Sequence, residues 1–463
     1  MQARTIAVTC VYTDPDLVPF EPPARPLGLL GLRTLMRNYI ETVPRSAYDQ
    51  NVTHFRTRMS DVLIVSDPDI IQELLVDKAE AFGRDPTTRR SFAPVIGNTA
   101  LFLAEGADWR WQRRAVAPIF RHETLLSFVP VFAAMAQRQV ERWRKADRTV
   151  PTDAAAAMTR TTFEIIVEAM LGGSANLDAD RYSRALTDNF GTIPWHIIYV
   201  MFSIPEWMPY PHRRRAMRSR DFLHRDIRRI VAARHFSQSS KPDLLNLMRA
   251  AHDPETGRTM SDDEIVANLL TFITAGHETA AVALTWALWL LAKDQVTQQR
   301  VFDEVKSVAA DQPIDAASVE GLAFCRQVIQ EAMRLFPPAP GIARISKAAV
   351  KIGNMQFSAS TRIHIPVFAL HRNAGLWDNP DAFDPDRFAP ELVKARRRFA
   401  FLPFGGGPRV CIGGGFAMLE AAAILATIIR AFRFDPVAGH KPKPVARVTL
   451  RPAGGMPLLI TER

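Results

Sequence analysis

The stretch Phe404-Gly405-Gly406-Gly407-Pro408-Arg409-Val410-Cys411-Ile412-Gly413 limits what this chain can fold into more than any other segment. Three glycines and a proline cannot continue a helix, so these residues form a loop whose backbone can lie very close to something flat or bulky. Gly413 then turns the chain into the apolar run Phe416 to Ile429, which reads as a buried helix. Cys411 stands just ahead of that helix, where unpaired N–H groups and partial positive charge favour thiolate over thiol. A thiolate in such a place is a soft metal ligand. The competing reading is an inert core cysteine beside a glycine turn. A dinucleotide loop fails, because no G-x-G-x-x-G with a following acid is present, and no phosphate-loop lysine follows either.

Composition narrows the classes. At 463 residues the length prior is two or three domains, and 47% hydrophobic with 23% charged residues is ordinary for a globular protein. A formal charge of +10 is moderate for this size, and the basic residues are spread over many segments without a nucleic-acid motif. Cys10, Cys325 and Cys411 are too few for a disulfide framework and fit a reducing compartment; the first two have no special role. The start, Met1 to Asp16, lacks the features of a signal peptide. The apolar stretch Ile265 to Ala292 is interrupted by Asn268, His277 and Glu278, which would be costly in lipid. A cytoplasmic protein without a transmembrane segment is expected.

In chain order, Pro15, Pro19, Pro22, Pro23 and Pro26 predict an extended arm leading into a helix near Leu29 to Tyr39. Asp61 to Ser66 reads as a strand, and Asp67-Pro68 as a capped helix start. Residues 82 to 105 read as a long irregular segment. Helical sequence follows from Asp108 to about Ala250, broken at Gly172-Gly173 and by Pro194, Pro205, Pro209 and Pro211. The aromatic break at 190 to 211 reads either as a loop packed on the core or as an apolar lid that also touches a membrane surface. The arginines after it, from Arg213 to Arg220, read as a solvated helix face. Ser261-Asp262-Asp263-Glu264 is a capping box opening a helix that runs to Lys293, about 45 Å at 1.5 Å per residue. A further helix ends with Val328 to Leu335, and Val350 to Pro366 reads as a small hairpin sheet around Gly353-Asn354.

Three more motifs bear on chemistry. Ala275-Gly276-His277-Glu278-Thr279 sets an acid beside a hydroxyl in mid-helix, where Thr can withdraw a hydrogen bond from the backbone ladder and weaken it. Taken alone it is a tolerated irregularity. Glu331-Ala332-Met333-Arg334 pairs opposite charges on one helix face, a common surface pattern. Trp109-Arg110-Trp111-Gln112-Arg113 places an indole and a guanidinium one turn apart, and on spacing alone reads as an amphipathic helix with snorkelling arginines.

Together these segments resemble the cytochrome P-450 family, in its soluble, bacterial-type form. Phe404, Gly407, Arg409, Cys411, Gly413 and Ala417 match its haem-binding signature; Ala275 to Thr279 match its oxygen-activation motif. Glu331 to Pro338 and Pro385-Asp386-Arg387-Phe388 resemble its Glu-x-x-Arg helix and the partner segment completing a buried charged triad, with Asp386 where Glu is frequent. The resemblance spans essentially the whole chain and overrides the length prior. It implies a single haem domain, residues 1–463, with a mainly α fold and small β-sheets, and haem b between the long central helix and the helix after the cysteine loop. It implies Cys411 as the iron ligand, with Phe404 beside it. Trp109, Arg113, Arg409 and Arg344 would contact the haem propionates, and Ala275 and Gly276 would leave room above the iron. Thr279 would hydrogen-bond dioxygen and Glu278 relay protons; His277 has no catalytic role.

The activity so implied is a haem-thiolate monooxygenase. The chain ends about fifty residues after Cys411, so no fused reductase is expected, and electrons would come from a separate ferredoxin or flavodoxin. Lys394, Arg396, Arg397 and Arg398, with Arg110 and Arg114, are the candidate docking cluster; a solvated charge run is the alternative. Phe92, Val95, Leu103, Phe272, Ala339 and Ile342 would line a pocket for a hydrophobic small molecule. Peroxide-using enzymes of the same fold, and a non-catalytic haem sensor or carrier, are the other readings.

Overall fold

The computed structural model describes residues 12–13, 22–23, 31–56, 61–147, 149–172, 177–205, 207–234 and 243–463. Cys10 and most of the proline-rich arm lie outside the described residues; the first helix among the described residues is Gly31–Arg37. The helices that frame the site are α1 (Pro86–Ile96), α2 (Gly106–Val116), α3 (Val129–Lys145), α4 (Ala154–Leu171), α5 (Ala179–Phe190), α6 (Ile193–Met201), α7 (Arg213–Ala233), α8 (Asp262–Lys293), α9 (Gln295–Ala309), α10 (Ala323–Leu335) and α11 (Gly414–Ala431).

The capping box forms as the sequence reading expects. Ser261 Oγ accepts from Glu264 N at 3.3 Å while the Glu264 carboxylate accepts from Ser261 N at 2.9 Å. From that start α8 runs 32 residues and is buried along nearly its whole length, the central rod of the molecule. Helix α4 lies along one side of it, and α7, α10 and α11 pack elsewhere around it. At its C-terminal end Trp286 stacks on Phe336 just after α10, ring centroids 3.8 Å apart and 7° from parallel. Helices α8 and α11 are long and apolar enough to cross a membrane, but most of each apolar window is buried against the rest of the fold.

A five-stranded sheet stands beside this helical body. Its strands are β1 (Val52–Arg56), β2 (Asp61–Val65), β3 (Phe82–Arg84), β4 (Ile342–Ser346) and β5 (Arg362–Ile365), in the order β1-β2-β5-β4-β3, with only β2 and β5 parallel. The Asp67 cap works as read: its Oδ1 accepts from Asp69 N at 2.8 Å and Ile70 N at 3.1 Å. Near the C-terminus β6 (Pro444–Ala446) and β7 (Leu450–Pro452) form a separate hairpin.

Three expectations change. Residues 82 to 105 are not one irregular segment, because Asp85 caps a helix at Thr87 N (2.8 Å) with Pro86 in its first turn. That is the Asp-Pro device already recognised at Asp67-Pro68; the nearby Gly and Pro residues masked it. The break at 190 to 211 is half helix, since Pro194 falls in the first turn of α6, where its missing N–H costs nothing. Finally, Arg362–Ile365 does not extend the hairpin Val350–Ile352/Met355–Phe357; it pairs with β2 and β4 in the main sheet.

Candidate haem-thiolate site

The cysteine loop is built by close backbone contact. A Cβ on Gly407 would sit 1.8 Å from the Leu75 carbonyl oxygen, and its φ of +69° suits only glycine, so no side chain fits. Cys411 N donates to Phe404 O at 2.9 Å, which closes the loop and brings Cys411 back beside Phe404. The expectation that the helix start alone yields a thiolate needs correcting. Burial pushes the Cys411 thiol up, while the Gly413 amide and the Arg113 guanidinium draw it down without winning. Coordination to a metal ion removes that proton outright.

Across from the loop, α8 is open where position alone would bury it. Ala275 is exposed and Thr279 half-buried in mid-helix, so both line a cleft. Thr279 Oγ1 donates to Ala275 O at 2.7 Å, and Thr162 Oγ1 from α4 donates to His277 O at 2.7 Å. Thr279 thus bonds to the backbone ladder as the sequence reading expects, and α8 stays helical throughout. Gly276 has a packing role of its own, because a Cβ there would lie 2.9 Å from Ile166 Cδ1 of α4. His277 points away from the cleft, bonded to Ile273 O at 2.7 Å and packed edge-on against Phe163. Glu278 is buried and turned to the β6–β7 hairpin, where Thr449 and Arg451 hold it.

The guanidinium groups converge at one end of the cleft. Arg84 on β3 and Arg344 on β4 are direct cross-strand partners, a like-charge pairing that costs stability unless something neutralises it. They line one pocket with Glu105, Trp109 and Arg409. Arg409 lies 4.2 Å over the Trp109 ring and donates to Ala104 O at 2.7 Å. Burial, then repulsion from Arg344 and Arg409, pulls Arg84 down to about 9; burial pulls Arg409 down to about 10. Glu80 and Glu105 are the acids along this lining, Glu105 accepting from Arg84 N at 3.0 Å, and Arg84 Nε is buried without a partner. Sequence reading named Trp109, Arg113, Arg344 and Arg409 but missed Arg84 and Glu105. Arg84 has no motif around it, and only the β3–β4 register places it opposite Arg344.

The charged triad takes shape beneath the loop. Arg334 donates to both Glu331 oxygens at 2.7 Å, and Arg387 Nε lies 3.5 Å from Glu331 Oε1. Arg334 also donates to His371 O, Pro380 O and Ala382 O, tying the segment before the loop to α10. Asp386 takes no part; it pairs with Arg300 of α9 through two bonds of 3.0 and 2.9 Å. The basic cluster breaks up as well. Arg396 is stacked between Trp377 and Phe388, Arg397 pairs with Asp69 at 2.7 Å, and Arg114 is held by Asp253 and Glu255. Lys394, Arg398 and Arg110 remain exposed.

Comparison with known proteins gives the class. Residues 31–458 match the family description cytochrome P450. Cyclooctatin synthase of Streptomyces melanosporofaciens is 32% identical over 390 residues, covering 83% of each chain. Cyclooctat-9-en-7-ol 5-monooxygenase of the same organism is 27% identical over 90% of this chain and 92% of its own. Cytochrome P450 709B1 of Arabidopsis thaliana is 29% identical over 86% and 79%. In fold the chain is similar to a cytochrome P450DA haem domain, with a TM-score of 0.81 at 23% identity over 96% and 97% of the two chains. The chain belongs to the cytochrome P450 family. It is a haem-thiolate monooxygenase whose cofactor is haem b, using dioxygen and electrons from a redox partner.

The residues present fit that cofactor. Among the described residues no group of three His, Cys, Asp or Glu could hold a metal ion, so an iron bound through Cys411 needs its other ligands from a macrocycle. The crowded guanidinium groups of Arg84, Arg344 and Arg409 and the orphaned Arg84 Nε call for anionic partners, which two propionate carboxylates provide.

Proposed function

We propose that residues 1–463 act as one bacterial-type, cytoplasmic haem domain that hydroxylates a hydrophobic small molecule, drawing electrons from a separate ferredoxin or flavodoxin. The observation carrying this reading is the apolar wall on the Ala275 side of α8. Phe92 packs against Phe102 at 5.2 Å and Phe190 at 5.9 Å, Phe272 meets Phe120 at 5.6 Å, and Val95 and Leu103 are buried beside them. Such a wall excludes water and favours an apolar ligand. One relative is named for oxidising cyclooctat-9-en-7-ol, and only that broad class, an apolar alcohol, is carried over.

Bound haem supplies the oxygen and electron chemistry. The chain's own residues do the rest. Cys411 gives the thiolate, and Arg113 beside it favours the charged form. Trp109, Arg84, Arg113, Arg344 and Arg409 would hold the haem carboxylates. Ala275 keeps the α8 face low and apolar. The Thr279 hydroxyl faces the cleft with its donor resting on Ala275 O, ready to turn outward and donate to dioxygen. Glu278 carries protons from solvent, because the apolar wall supplies none. The exposed Lys394, Arg398 and Arg110 offer an acidic redox partner its docking surface.

The test begins with a screen of apolar alcohols, fatty acids and aromatics, read by the spin-state change that follows when ligand displaces water from the haem. A bound compound is then turned over by wild type and Thr279→Ala with surrogate ferredoxin. Wild type should yield product, and the variant should consume electrons at a similar rate while releasing peroxide. A variant that hydroxylates with unchanged yield sinks the role given to Thr279; no turnover of any bound compound by wild type sinks the substrate class.

A further inference from the structure

The acid read as the proton carrier does not face the cleft. Successive residues on a helix are turned by about 100°, so Glu278 leaves α8 on a different side from Thr279. Its Oε1 accepts from the Thr449 hydroxyl, from Arg451 Nε at 2.7 Å and from Arg451 Nη2 at 2.5 Å. The two partners differ in access to water. Glu278's side chain is 6% exposed and Arg451's 47%. One guanidinium therefore joins a buried carboxylate to solvent.

The hairpin that carries these partners is fixed at both strands. Trp286 Nε1 of α8 donates to Leu450 O at 2.8 Å, and Leu450 N donates to Pro338 O at 3.1 Å. Asn38 takes the other strand, accepting from Ala446 N at 2.8 Å and donating to Pro444 O at 2.9 Å. Thr449 and Arg451 are thus held in register with Glu278. His277 feels the charges of both Glu278 and Arg451, but its ring is bonded to Ile273 O.

We propose that Thr449 and Arg451 are positioning residues for proton delivery, forming a gate that holds Glu278 toward the surface between turnovers and admits protons at the Arg451 edge. This rests on the reading of Glu278 as the relay acid. When Arg451 swings outward, Oε1 takes a proton from water. The side chain turns toward Thr279 and gives that proton up on the cleft side, then returns as carboxylate to Arg451. One proton moves inward, and Arg451 keeps all of its own. Water can take over the charge of the half-exposed Arg451 head when it swings out, and the cost falls on the buried carboxylate left behind, which taking up a proton relieves.

The test compares Arg451→Met, Arg451→Lys, Thr449→Val, Glu278→Gln and the Arg451→Met/Glu278→Gln double variant as holoenzymes. Peroxide released per electron and its solvent deuterium isotope effect report proton delivery. A double-variant cycle in thermal melting, run with and without haem, reports the pairing independently of activity. Arg451→Met should raise the peroxide fraction several-fold and enlarge the isotope effect, Arg451→Lys should restore most of both, and the double variant should match Glu278→Gln alone. Uncoupling in Glu278→Gln with normal delivery in Arg451→Met overturns the gate and leaves the relay reading standing. Normal delivery in Glu278→Gln overturns both, even if the melting cycle shows the pair is made.

Discussion

Arg84 carries the most information of any single residue here, since its setting is unfavourable for the protein alone. A half-buried guanidinium facing Arg344 across the sheet and repelled by Arg409 is pulled down to about 9 and leaves Nε unbonded, with Glu105 and the Phe102 ring 4.1 Å away offsetting only part of that cost. Haem propionates held there would reverse that balance. Arg84→Leu should therefore raise the melting temperature of haem-free protein while weakening haem retention, measured by transfer of haem to apomyoglobin. Removing one charge from such a cluster is worth roughly 1–3 kcal/mol in each direction. If the variant melts lower in the haem-free state, the cluster is not strained and the fit argument loses its main support. Cys411 makes a complementary point: the motif singles it out as the candidate ligand, while desolvation, invisible in the sequence, makes the free thiol hold its proton more tightly.

At the scale of elements, α8 and α4 form the most extensive helix pair among the described residues, and Gly276 sets how closely they meet. A methyl at Gly276 would come 2.9 Å from Ile166 Cδ1, so Gly276→Ala should destabilise by about 1–2 kcal/mol through overpacking. Ile166→Val removes that terminal methyl. The double variant should then be more stable than the sum of the two single changes, by urea midpoint at constant m value. Strict additivity would mean α4 gives way at no cost. The same scale explains which elements were legible. Capping boxes and Asp-Pro starts are local chemistry and read well at Ser261 and Asp67. The identical signal at Asp85-Pro86 was lost among glycines and prolines that each, taken singly, mean a loop.

For the whole molecule, buried neutral imidazoles set the acid limit. His371 accepts from Leu402 N at 2.8 Å just before the cysteine loop, and burial, then Arg334, pulls it from 6.5 to about 3. Burial alone pulls His364 down to about 4. Above pH 6.5 neither state binds the proton and stability is untouched. As pH falls from 6.5 toward 3 the unfolded chain takes up a proton the folded chain refuses, so stability falls by up to about 1.4 kcal/mol per unit for each such group. The melting temperature should drop steadily from pH 6.5 to pH 4, and His371→Gln, whose amide oxygen can still accept from Leu402, should flatten that slope. An unchanged slope would place the acid sensitivity elsewhere.

Local backbone chemistry and a long, unusual motif were enough to read the glycine-rich cysteine loop, the capped central helix and the class of enzyme. Each depends on residues adjacent in sequence, where spacing alone sets geometry. Register and packing decided the remainder. Arg84 meets Arg344 only because β3 pairs with β4, Arg396 leaves the surface only because Trp377 and Phe388 enclose it, and Glu278 finds Arg451 across 173 residues of chain. Side chains with little local signal find their partners only through neighbours that the fold supplies.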